Sequence, residues 1–148
     1  MPSSFMTPLE LEYIDGRSWK VTKEFDYLVD LEDPTTAIRV PAGFITDFAS
    51  IPRVFWTLWP PTGDYGKAAV VHDYLYVLGG KVPCKLAISA GIGYSDMCGE
   101  PDRCKTYTKA QADRIFRDAM EVLGVKNPQR WIMWQAVKAF GRGNFGKV

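Results

Sequence analysis

The chain has 148 residues, 47% hydrophobic and 14% aromatic, and its 18 basic and 17 acidic side chains leave a formal charge of +1. A chain of that length buries about 70% of the surface it exposes when unfolded, so one core suffices without disulfides or a structural metal. The balanced charge, with no long single-sign run, argues against a field for gripping nucleic acid phosphates.

No apolar run approaches the roughly 20 residues that cross a bilayer, so no integral membrane segment is expected. The opening MPSSFMTPLE has neither the basic region nor the apolar core of a signal peptide, which predicts a soluble chain made in a cytoplasm. Three cysteines, Cys84, Cys98 and Cys104, cannot all pair internally, and a reducing compartment keeps them as thiols.

In chain order, Leu9 to Ile14 alternates apolar and polar residues, Asp15-Gly16 is a turn dipeptide, and Trp19 to Thr22 alternates again, which predicts a β-hairpin. A third strand is expected at Phe25 to Leu31. After the turn 32–36, a fourth runs from Ala37 to Val40 and stops at Pro41, because proline cannot donate to a ladder. From Pro41 to Pro61, prolines punctuate an aromatic-rich run that reads as a packed connection over the core.

Asp64 stands as the N-cap of a helix reaching about Leu78, where Gly79-Gly80 supplies the positive φ of a helix end. Residues 81–107 hold all three cysteines with little periodicity and read as a surface insertion. Thr108 and Gln111 have capping-box spacing, so a helix starts there and ends near Leu123, with Gly124 closing it. Its apolar stripe is Ala112, Ile115, Phe116, Ala119 and Leu123, with Asp113 at the stripe's edge. A third helix runs from Pro128 to Phe140, carrying Trp131, Met133, Trp134 and Val137. The tail, 141–148, is expected to be mobile or pinned by a partner. These elements make one α+β domain, a small antiparallel sheet in the N-terminal third packed against three α-helices.

Chemistry concentrates in two blocks. His72, the one histidine of the chain, sits beside Asp73 in an apolar helix. A histidine packed against a helix that carries an edge carboxylate, here Asp113, can have one ring nitrogen oriented by that acid while the other accepts a proton, which makes a general base. The alternative is a core histidine whose carboxylate fixes helix packing. Asp47 and Asp73 supply hard oxygen ligands for Ca²⁺, Mg²⁺ or Zn²⁺, with His72 adding nitrogen for zinc; equally, Asp47 and Ser50 can cap a turn before Pro52. Ser50 lacks the Gly-x-Ser-x-Gly setting of a nucleophile. Arg53 can clamp a phosphate or carboxylate or pair with an acid of the fold. Tyr76 packs with a polar tip able to orient Asp113 or a ligand. Cys84, Cys98 and Cys104 are a weak zinc set, because no Cys-x-x-Cys knuckle is present.

The blocks Gly43-Phe44-x-Thr46-Asp47-Phe48-Ala49-Ser50-Ile51-Pro52-Arg53, Ala69-Val70-x-His72-Asp73-x-Leu75-Tyr76 and Ala112-Asp113-x-Ile115-Phe116 resemble the phage and prophage family catalogued as domain of unknown function 1353. That resemblance spans about residues 10–141 and implies a virus-encoded protein, often encoded near tail and lysis functions, without giving an activity. Residues 84–104 look like an insertion relative to shorter members. More locally, His72-Asp73-Tyr74-Leu75-Tyr76 is similar to the His-Asp-x-x-Tyr helix of secreted and viral-capsid phospholipases A2. This implies His72 as the activator of water, Asp73 as a calcium ligand and Asp113 as the acid that orients the histidine. The glycine-rich calcium loop of those enzymes is missing upstream.

The expected function is that of a phage virion or tail-associated protein, made in the host cytoplasm, whose His72, Asp113 and Asp73 hydrolyse a cell-envelope bond, with Asp47, Ser50, Arg53 and Tyr76 around them; the cofactor is left open, a divalent metal on Asp47, Asp73 and His72 being one option. Its expected partners are other virion proteins and the host envelope. The opposing class is a non-catalytic tail or baseplate module whose aromatics make the subunit contacts.

Overall fold

The computed structural model describes residues 4–5, 9–15, 18–30, 37–47, 53–59, 65–80, 82 and 106–140. Among the described residues, six strands precede three helices: β1 (Ser4–Phe5), β2 (Glu10–Asp15), β3 (Ser18–Lys23), β4 (Phe25–Leu28), β5 (Ala37–Val40), β6 (Ile45–Thr46), α1 (Gly66–Leu78), α2 (Lys109–Val122) and α3 (Gln129–Phe140). A 3-10 turn, Arg53–Trp56, lies between β6 and α1. The fold is α+β, antiparallel strands in the N-terminal part packed against three helices.

The strands divide into two antiparallel sheets, β2-β3-β6 and β1-β4-β5. The expected hairpin forms, with Tyr13 opposite Trp19 and Asp15 opposite Ser18. Glu24 separates β3 from β4, and there the chain passes from one sheet to the other. β4 ends at Leu28, shorter than alternation alone suggests, and pairs with β5, Phe25 opposite Val40 and Tyr27 opposite Ile38. All four of these side chains are buried. The residues between them point the other way, as a period of two requires. Arg39 there meets Asp26 across the ladder in a forked pair, Nε to Oδ1 at 2.7 Å and Nη2 to Oδ2 at 2.9 Å, which holds the register. Its neighbouring carboxylates raise the Arg39 pKa, the Asp26 hydrogen bond first.

α1 is the central element. It packs on α2 on one side and on β5 and β6 on the other, which is why Ala68 to Tyr76 is buried without interruption and why its sequence is apolar nearly all round. Asp64, the expected cap, lies outside the described residues, and the N-cap position is Tyr65, which makes no side-chain cap bond. Tyr65 is instead a core residue whose hydroxyl donates to the carbonyl of Trp59. At the other end Gly79, at φ 62°, donates to Tyr76 O and turns the chain out of the helix.

α2 starts on the predicted capping box: Thr108 Oγ1 accepts from Gln111 N at 3.2 Å, and Gln111 Oε1 accepts from Thr108 N at 2.9 Å. Its buried face is Ala112, Asp113, Ile115, Phe116, Ala119 and Met120. α3 begins one residue after Pro128, whose carbonyl accepts from Ile132 N at 2.9 Å. The insertion expected at 81–107 falls mostly outside the described residues, as does the tail 141–148. Its two ends are tied, however: Tyr107 N donates to Gly80 O at 2.8 Å, and Val82 and Tyr107 are both buried. Among the described residues, no helix is long and apolar enough to cross a membrane.

Candidate functional site

His72 and Tyr76 are one helical turn apart on α1, so their rings face the same neighbour, tilted 43° to each other with centroids 4.2 Å apart. That neighbour is α2. Phe116 packs on the imidazole at 4.9 Å, and one turn before it Asp113 reaches into the same space. Asp113 Oδ1 lies 2.7 Å from His72 Nε2 and accepts from the Tyr76 hydroxyl at 2.6 Å. Its other oxygen accepts from Lys109 Nζ at 2.7 Å, an ion pair at four-residue spacing along α2. Lys109 Nζ also sits 3.4 Å from the carbonyls of Val137 and Lys138 near the end of α3. One carboxylate thus ties all three helices.

The electrostatics follow from burial. His72 is 0% exposed and Asp113 1%. Loss of water on burial lowers the His72 pKa, outweighing the raising effect of the bond to Asp113 and of its charge. The ring is therefore neutral near pH 7. Burial alone would push the Asp113 carboxyl up, but the hydrogen bonds from His72, Lys109 and Tyr76 together outweigh it and hold the group below the usual carboxylate range. Burial, then the Asp113 contact, pushes the Tyr76 phenol up, so it stays a proton donor. A carboxylate only accepts, so the hydrogen between His72 and Asp113 belongs to Nε2, and Nδ1 is the basic nitrogen of the ring.

Asp73 is turned about 100° from His72 around the helix and meets a different element. Thr46 of β6 donates to its Oδ2 at 2.7 Å, and both side chains are buried. Asp47, the next residue, is exposed. Arg53 is exposed too, its guanidinium carbon 4.9 Å from the centroid of the Trp56 ring. Of the four acids and bases expected to share a site, the structure joins His72 to Asp113 directly and places Asp73 with Thr46, on the β6 side of the same helix. Ser50, Cys84, Cys98 and Cys104 lie outside the described residues. Among the described residues, no group of three His, Cys, Asp or Glu side chains is placed to hold a metal ion.

Two members of these clusters were not singled out from sequence. Lys109 carried a usable signal, its spacing of four from Asp113. Thr46 opens the block that contains Asp47, but nothing in that block specifies a partner on α1.

A family model described as protein of unknown function (DUF1353) matches residues 19–137. The chain belongs to this family. The match to the family contains Thr46, His72, Asp73, Tyr76, Lys109 and Asp113, and so every side-chain-to-side-chain hydrogen bond described above for the two clusters. No curated protein and no solved structure matches the chain.

Proposed function

We propose that this DUF1353 protein is a phage virion or tail-associated hydrolase in which His72 activates water against a bond of the host cell envelope. The observation that carries the proposal is the 2.7 Å contact between His72 Nε2 and Asp113. It fixes the ring's tautomer and orientation, leaves the basicity on Nδ1, and stabilises the imidazolium that forms when Nδ1 takes a proton. Tyr76 and Lys109 keep Asp113 in place and ionised, so they act as positioning residues. The resemblance of residues 72–76 to the phospholipase A2 helix supports the same assignment. A divalent metal would be held by Asp47, Asp73 and His72 and would supply Lewis acidity toward the water; no step of the proposal is routed through it, and activity that survives a chelator removes it.

Complete burial of His72 favours a second reading, a structural tail module in which the His72-Asp113 contact locks α1 to α2 and exposed aromatics such as Trp131, 56% exposed, make the subunit contacts. His72→Gln separates the two, because the glutamine amide preserves a donor toward Asp113 and removes the base. Purified wild type and variant are compared for thermal unfolding, incorporation into particles, and product release from isolated host envelopes. Hydrolysis by wild type that is lost in a folded, incorporated variant supports the enzyme. Absence of hydrolysis by wild type, with incorporation that depends on the exposed Trp131 and Tyr13, sinks it.

A further inference from the structure

On the outer side of the α2–α3 contact, a pocket of about 560 Å³ is lined, among the described residues, by Lys109, Asp113, Arg114, Trp134 and Lys138 together with the first turn of α2. That volume is within the range of small-ligand sites. Its charge is net positive, with Lys109, Arg114 and Lys138 against the single carboxylate of Asp113. The acceptors in it, Asp113 Oδ2 and the last carbonyls of α3, are engaged by Lys109. Among the described residues, no carboxylate pairs with Arg114 or Lys138. A further cation is close: Arg117 and Lys138 both lie over the Trp134 ring, at 4.6 and 4.3 Å from its centroid. Arg117 has only a 3.4 Å contact with the half-exposed Asp118. Trp134 Nε1 is a buried donor with no hydrogen-bond partner among the described residues. The ring face holds both cations by cation–π attraction, which leaves their positive charge uncancelled, and an anion in the pocket neutralises it. The N-terminal turn of α2 adds a positive helix end.

We propose that this pocket binds a small ligand through a phosphate-type anion, held by Arg114 and Lys138 with its body against Trp134. The proposal is independent of hydrolysis, because the pocket touches Asp113 from the Lys109 side and stands whether or not His72 acts as a base. Two sources offer this chemistry, a soluble phosphorylated small molecule and an anionic lipid headgroup. Titrations with inorganic phosphate and with glycerol 3-phosphate, followed by ¹H-¹⁵N spectra at constant ionic strength with chloride as the control, test the first. Co-sedimentation with phosphatidylcholine vesicles, with and without phosphatidylglycerol, tests the second. Saturable shifts centred on the Trp134 indole N–H, weakened about tenfold or more in Arg114→Ala/Lys138→Ala, support the proposal with a soluble ligand. Vesicle binding that needs phosphatidylglycerol and is lost in the same double variant supports it with a headgroup. The two substituted side chains are exposed, and unfolding curves matching the wild type confirm that the fold is kept. Failure of both probes to bind, or binding undiminished in the double variant, overturns it.

Discussion

Asp113→Asn tests the central contact most directly. The carboxylate accepts three hydrogen bonds on two oxygens, from His72, Tyr76 and Lys109, whereas an amide of the same shape has one accepting oxygen and one donating nitrogen. With the oxygen kept toward His72 and Tyr76, the amide nitrogen faces the Lys109 ammonium, donor against donor. With the amide flipped, Lys109 is satisfied, the Tyr76 hydroxyl loses its acceptor, and His72 must move its hydrogen to Nδ1. Either way one charge-assisted bond is lost at a site 1% exposed, a cost of about 1.5–3 kcal/mol. For a chain of this size that corresponds to a fall in Tm of about 3–12 °C. Urea unfolding gives the free energy. The imidazole resonances report the tautomer without assignment, because the chain has one histidine. Removing the carboxylate also removes the raising influence of Asp113 on His72, so the ring is expected to titrate still lower. A variant within about 0.5 kcal/mol of wild type, with unchanged imidazole shifts, would refute the reasoning.

Two further outcomes follow from the same geometry. The His72 pKa is lowered from 6.5 in the folded chain, so below that pH the unfolded chain binds the extra proton; stability should fall as pH drops from about 6.5, by at most about 1.4 kcal/mol per pH unit. The depressed Asp113 carboxyl adds a loss at lower pH, as the solution passes below 3.8 toward its folded value. Urea midpoints that stay flat between pH 7 and 5, or that fall equally in His72→Gln, contradict this. Thr46→Val deprives the Asp73 carboxylate of a donor at 2.7 Å and should cost about 1–3 kcal/mol; thermal unfolding at wild-type Tm would show that Asp73 is held by other groups.

How far the sequence carried depended on the kind of signal. The capping box at Thr108 and Gln111, the glycine exit after Leu78 and the strands β2, β3 and β5 rest on local signals, and each appears close to where the sequence places it. The face shared by His72 and Tyr76 is local as well, and an angular count on α2 was enough to bring Asp113 toward it. What periodicity does not encode is which faces meet. The division of the strands into two sheets depends on the break at Glu24, a single residue with no turn chemistry of its own. The Thr46 contact that holds Asp73 depends on how β6 lies against α1. The N-cap expectation at Asp64 competed with a tertiary demand, since Tyr65 at the cap position has its ring in the core and its hydroxyl on Trp59.

The hydrogen bond from Tyr107 N to Gly80 O bears on more than the end of a helix. It brings the exit of α1 and the approach to α2 to one point, so whatever the chain does between them enters and leaves through a single gate. The entropy of closing such a loop grows only slowly with its length, about 0.6 kcal/mol for each doubling. By that measure, a change in the number of residues between Val82 and Thr106 costs the alignment of His72 with Asp113 little.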